Sequence, residues 1–222
     1  MARVIRAALF DLDGVLVDTA KHHYLAWKRL ADGLGFVFTP EHNERLKGVS
    51  RMRSLEILLE VGGLNPPNDQ REAMAAQKNA WYVEMLAGLT ADDVLPGARE
   101  TLLAMRERGI PTALGSASRN APLILDKLGI APLLDAVIDG NSADRAKPDP
   151  QVFLLGAQAL GVEPAECVVF EDAAAGIEAA HAGGMMAVGV GKAENLPGAD
   201  LLVPGLYALD VDAMLAFFEH RK

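Results

Sequence analysis

Apolar residues in this chain fall into two alternating textures. Short β-rich runs recur at VIRAALFD (4–11), IPTALGSAS (110–118), DAVID (135–139), CVVFED (167–172), MAVGVG (186–191) and, more weakly, DLLVP (200–204). Between them lie GARETLLAMRERG, APLILDKLG, PQVFLLGAQALG and AAAGIEAAHAGG, each with helical spacing and each closing on glycine. Strand and helix in alternation predict an α/β fold: a Rossmann-like parallel sheet with helices on both faces.

Residues 19–90 break the alternation. TAKHHYLAWKRLADGLG, PEHNERLKG, SRMRSLEILLEVGG and NDQREAMAAQKNAWYVEML read as helix after helix, with GLNPPND (63–69) as a loop between the last two. The pattern predicts an inserted α-helical cap over 17–92, joined near 15–18 and 91–95 to a discontinuous core of 1–16 and 93–222. No internal repeat or low-complexity segment interrupts it.

Polar residues matter most where they end the strands. Asp11 and Asp13 follow the first apolar run, and Glu171 and Asp172 follow another. Charge is disfavoured inside a buried strand, but the carboxyl ends of parallel strands are where an open α/β sheet binds ligands. Read singly, Asp172 is a helix N-cap and Asp13-Gly14 a turn. Four carboxylates gathered at one sheet edge would repel, and a hard divalent cation such as Mg²⁺ relieves that. At two further strand ends, GSASRN brings Ser116 and Ser118, suited either to capping a helix or to holding an anion. AKPDP brings Lys147, either a solvated loop lysine or the charge that balances a phosphate, with a proline after it that can adopt a cis bond.

The chain has 222 residues and a net charge of −9, so general binding to nucleic acid or to an anionic membrane is excluded as its role. Against that background LKGVSRMRS stands out. Lys47, Arg51 and Arg53 cluster where a turn enters a helix at Ser50, and cations in a first helical turn oppose the macrodipole. Either the cluster is an anion site, or it is a solvated patch paired with Glu44 and Glu56. The one cysteine, Cys167, reads as a small buried hydrophobe and fits a reducing cytoplasm. The N-terminal apolar run is too short and too acidic at its end for a signal peptide, and nothing demands more than a monomer.

Taken in order, DLDGVLVDT, SAS, KPDP and FEDAAAGI resemble the motifs of the haloacid dehalogenase superfamily of phosphotransferases, and the helical insert resembles its small α-helical cap. Within that superfamily DTAKHHYLAWKRLA, NERLKGVSR, QKNAWYV and GSASRNAP resemble the hexose-phosphate mutases. The resemblance implies that Asp11 is the nucleophile and Asp13 the general acid and base. It implies that Mg²⁺ is held by Asp11, Glu171, Asp172 and the Asp13 carbonyl. Ser116, Ala117 and Lys147 would hold the transferring phosphoryl group, and Arg51, Ser118 and Asn120 the distal phosphate. Thr19, His23, Trp27, Lys47, Gly48, Val49 and Lys78 would line the cap side. The implied reaction interconverts β-D-glucose 1-phosphate and glucose 6-phosphate through an aspartyl phosphate and a hexose bisphosphate intermediate. A Mg²⁺-dependent sugar phosphatase shares the same core motifs. Two positions depart from the pattern: Arg119 stands where lysine is familiar, and AAAG follows Glu171-Asp172 where a serine and a glutamine are typical.

Overall fold

The computed structural model describes residues 4–220. Six parallel strands, β1 (Ala7–Phe10), β2 (Thr112–Gly115), β3 (Ala136–Ile138), β4 (Cys167–Glu171), β5 (Met186–Val190) and β6 (Leu201–Val203), form one sheet in the order β3-β2-β1-β4-β5-β6. Each lies inside a predicted run, and the weakest of those runs is the edge strand β6. Strand residues alternate between faces. Ala8 and Phe10 of β1, with Val168 and Phe170 of β4, pack into one buried cluster, while Ala7, Leu9, Cys167 and Val169 pack into another. Phe10 and Phe170 stack with ring centroids 4.6 Å apart.

Helices close both faces. With four helices preceding them in the chain, α5 (Ala98–Glu107), α6 (Ala121–Leu128) and α9 (Val211–His220) cover the first cluster, and α7 (Gln151–Leu160) and α8 (Ala174–Ala182) the second. The alternation leaves 205–220 unassigned, and α9 fills the end of that stretch. Its start is fixed by Asp210, whose carboxylate accepts from the Ala213 N–H at 2.9 Å, a cap hidden in an apolar run with little polar contrast.

The four preceding helices are α1 (Ala20–Gly33), α2 (Pro40–Glu44), α3 (Arg51–Gly62) and α4 (Asn68–Leu86). They enclose an apolar cluster of their own around Trp27, Leu30, Phe38, Leu55 and Leu58. The shared boundary is not clean, since Ala26, Tyr82 and Leu86 join the cluster under the sheet. α2 is shorter than PEHNERLKG suggests: it ends at Glu44, and the chain turns through Gly48, whose φ of 71° suits glycine. α3 begins where expected, with the Ser50 hydroxyl accepting from the Arg53 N–H at 3.2 Å. The two connections lie side by side, the Leu95 N–H donating to the Leu16 carbonyl at 3.0 Å. Among the described residues no helix is long and apolar enough to cross a membrane.

Candidate active site

The sheet order explains why distant acids meet. The chain leaves β1 toward β2 on one side and returns later to β4 on the other, so the crevice beyond these neighbouring strands is the switch point. Phe10 pairs with Phe170 in register, which brings Asp11 level with Glu171. Ligand atoms of Asp11, Glu171 and Asp172 lie within 4.8 Å of one another. Glycine makes the approach possible: Gly14 has φ 82°, and a Cβ there would overlap the Asp172 carboxylate.

Lys147 sits beneath this cluster, its side chain fully buried, and donates to both Asp11 and Glu171. Its loop reading is therefore replaced by a buried one, and the Lys147–Pro148 peptide is cis. Burial alone would lower the Lys147 pKa, but Asp11 and Glu171 outweigh it and hold the ammonium charged. Glu171 is pushed upward by burial, with Lys147 opposing and Asp11 adding to the rise. Its second oxygen accepts the Ala173 N–H at 3.0 Å. A backbone amide thus partners Glu171 inside the AAAG departure. Asp172 is pushed upward by burial and then by Glu171 and Asp11, with Lys47 pulling the other way from 3.7 Å. Among the described residues no donor hydrogen-bonds the Asp172 carboxylate. Three hard oxygen donors, one of them without a hydrogen-bond donor and all crowded by like charge, fit a hard divalent cation.

Asp13 faces the same cleft but stands apart from the cluster. Thr19 donates to its Oδ1, and His23 Nε2 lies 3.9 Å from its Oδ2. Burial, then the charge of Asp11, raises the Asp13 pKa to about 7, with Thr19 and Lys78 pulling it down. A carboxyl raised in this way has the character that proton transfer calls for. Thr19, expected on the cap wall, is fully buried behind Asp13 and does not line the cleft. It is the residue before α1, so its hydroxyl reaches back toward the core.

The cleft encloses roughly 850 Å³ of space, solvent at its mouth included, between the strand ends and the four helices. His23 and Trp27, one turn apart on α1, share its helical wall with Lys78 of α4. Lys78 is buried against both, 2.8 Å from His23 Nδ1 and 4.5 Å from the Trp27 ring centroid. Burial and Arg51 lower its pKa to about 7, against the pull of Asp13. Burial, then Lys78 and Arg51, holds His23 well below the usual imidazole range, so it is neutral. The other ring nitrogen of His23, Nε2, faces Asp13.

Lys47, Gly48, Val49 and Arg51 line the mouth, and the basic turn divides. Lys47 pairs with Glu44 at 3.0 Å as well as leaning toward Asp172. Arg53 does not enter the cleft; it pairs with Glu56 at 2.9 Å and Glu60 at 3.2 Å on the surface. Arg51 has no carboxylate partner among the described residues. Burial and the nearby Arg119 both lower its pKa. Two guanidinium groups thus come close enough for their charges to interact, one from the cap side and one from the sheet side, and neither forms an ion pair among the described residues. Arg119 also donates to the Gly140 carbonyl at 3.1 Å. Ser116, Ala117, Ser118 and Asn120 complete the sheet wall. The Ser116 and Ser118 hydroxyls accept the Ser118 and Asn120 N–H groups at 3.1 and 3.3 Å, folding the loop so that it curls around the strand end.

Sequence reasoning missed Asn43, Ser54 and Asn79, which also line the cleft. Ser54 follows Arg51 by one turn, a spacing that places it on the same face. Asn79 accepts from Asn120 at 2.9 Å, tying α4 to the loop after β2. Asn43 carries no sequence signal beyond its closeness to Lys47.

Residues 5–184 match the haloacid dehalogenase-like hydrolase family, and the chain belongs to it. The chain is 43% identical over 201 residues to the β-phosphoglucomutase of Bacillus subtilis, covering 90% of this chain and 89% of that protein. Its fold matches the crystal structure of β-phosphoglucomutase from Clostridium difficile with TM-score 0.93 and 39% identity, over 96% of this chain and 97% of that one. A phosphorylated carbohydrates phosphatase of Thermotoga maritima is 32% identical over 209 residues, 92% of this chain and 94% of that protein.

Proposed function

We propose that this enzyme is a β-phosphoglucomutase that interconverts β-D-glucose 1-phosphate and glucose 6-phosphate. The observation that carries the reading is that two groups of cations serve one cleft. Lys147 is buried beside Asp11 beneath the strand ends, and Arg51 and Arg119, neither of them ion-paired among the described residues, line the walls. A hexose with a phosphate at each end spans them. The core of 1–16 and 93–222 supplies the transfer chemistry, and the cap of 17–92 supplies the choice of acceptor.

Asp11 attacks the C1 phosphorus of bound hexose bisphosphate, forming its own P–O bond as the bond to the sugar oxygen breaks and glucose 6-phosphate is released. Asp13 gives a proton to that leaving oxygen. In the return step the 6-hydroxyl of β-glucose 1-phosphate attacks the aspartyl phosphate, Asp13 takes its proton, the bond to Asp11 breaks, and hexose bisphosphate forms again. Lys147, Ser116 and Ala117 hold the transferring group, while Arg51, Ser118 and Asn120 hold the distal phosphate. His23, Trp27, Lys47, Gly48, Val49 and Lys78 surround the sugar, and Thr19 supports Asp13 from behind. Asp11, Glu171, Asp172 and the Asp13 carbonyl would hold Mg²⁺, which supplies neutralising charge for the phosphoryl oxygens. Closing of the cap over the bound sugar keeps water from the aspartyl phosphate.

The test supplies purified protein with Mg²⁺, β-glucose 1-phosphate and a trace of glucose 1,6-bisphosphate. Glucose 6-phosphate accumulates if the reading holds. Similarity to the Thermotoga maritima phosphatase favours a second reading, a sugar phosphatase, for which free phosphate accumulates in its place.

A further inference from the structure

Tyr82 of α4 is fully buried, is absent from the walls of the cleft, and takes no part in the chemistry above. Its hydroxyl nonetheless lies 2.9 Å from Thr19 Oγ1. Thr19 has one hydroxyl hydrogen, and Asp13 Oδ1 receives it. Tyr82 must therefore be the donor in its own bond. Burial, then the charge of Asp13, raises the phenol pKa, so the hydroxyl keeps the hydrogen it donates. Its ring is fixed as well, 4.0 Å from the His23 ring and 4.7 Å below the Lys78 ammonium.

We infer that Tyr82 is a positioning residue for Asp13, acting through a one-directional hydrogen-bond chain from Tyr82 to Thr19 to Asp13 Oδ1. The chain runs from the helical layer, through the residue before α1, to the strand end. Thr19 engages Oδ1 and leaves Oδ2 turned toward His23. Without the phenol, Thr19 is free to turn its single hydrogen elsewhere, and Asp13 loses its fixed orientation. The inference rests on the reading of Asp13 as the proton-transfer group.

Tyr82→Phe deletes the hydroxyl and keeps the ring. It is compared with wild type in two reactions, both with Mg²⁺. The first is turnover of β-glucose 1-phosphate primed with glucose 1,6-bisphosphate. The second is phosphorylation of Asp11 by acetyl phosphate, whose acetate leaves without needing a proton. The expected result is a kcat about ten- to hundredfold lower in the first reaction, part of the roughly 10²–10⁴-fold that positioned proton transfer contributes. KM stays within about twofold, as expected when ground-state binding is untouched, and acetate release is unchanged. Thr19→Val gives the same loss, the double variant loses no more than either single one, and Thr19→Ser retains activity. An unchanged kcat in Tyr82→Phe overturns the inference, as does an equal loss in both reactions, which marks a merely structural role. Should wild type convert no sugar phosphate yet accept phosphate from acetyl phosphate, the mutase reading fails alone. The same comparison then moves to phosphate release from glucose 6-phosphate, whose leaving oxygen needs the same proton.

Discussion

On the sheet side of the cleft, Lys147 locks Asp11 and Glu171, and the Ala173 amide locks Glu171 again. On the helical side, two cations form no ion pair among the described residues. Arg51 lacks an acid, and Lys78 rests on a neutral imidazole and two aromatic rings. The contrast separates two tasks. The sheet side is organised before any substrate arrives, because transfer to a carboxylate depends on fixed charge and geometry. The helical side keeps cationic capacity in reserve, and a bound sugar phosphate supplies the missing partner.

The strongest challenge to this division is Asp11→Asn. It removes the nucleophile at the prearranged wall and should lower turnover by about 10⁴-fold or more, measured by steady-state assay with folding checked by circular dichroism. Arg51→Ala acts on the other wall. Loss of one charged hydrogen bond of about 1.5–3 kcal/mol lowers kcat/KM for mutase turnover roughly ten- to hundredfold, while phosphorylation of Asp11 by acetyl phosphate is preserved. Equal loss in both assays would erase the distinction between the walls.

Two smaller effects sharpen it. The folded pKa of Lys78 is lowered to about 7 from an ordinary 10.5. The folded state therefore binds fewer protons than the unfolded state between those values. Its stability penalty is full below about pH 7 and fades as pH rises toward 10.5. Without substrate, Lys78→Met should thus be more stable than wild type at pH 6, with the gap narrowing by pH 9 in urea titrations. On the sheet side, Mg²⁺ should stabilise wild type by about 2.7 kcal/mol at a hundred times its Kd. Asp172→Asn should abolish most of that shift in thermal unfolding.

The same contrast explains what the sequence discloses. Asp11, Asp13, Glu171 and Asp172 are legible because a carboxylate at the end of an apolar strand has few structural reasons to be there. Sheet topology then does the rest, since Asp11 and Glu171 lie level across neighbouring strands. Tyr82, Ser54 and Asn79 are illegible for the opposite reason. A buried tyrosine in a helix reads as core, and a polar residue on a helix reads as surface, until the neighbouring helix is known. Thr19 and Arg53 show the limit in another way: one residue of helical rotation decides whether a side chain faces substrate, its own backbone neighbours or solvent. α9 escapes notice because its apolar residues run together without a polar interval.

The most direct measurement follows the phosphoryl group itself. The enzyme is loaded on Asp11 with labelled acetyl phosphate in Mg²⁺, freed of excess label, and mixed with β-glucose 1-phosphate. If the helical wall selects a sugar hydroxyl as acceptor, label appears in hexose bisphosphate and then in glucose 6-phosphate, faster than it appears as free phosphate. If label leaves as free phosphate at the same rate with sugar or without it, water is the acceptor, and the mutase account is wrong.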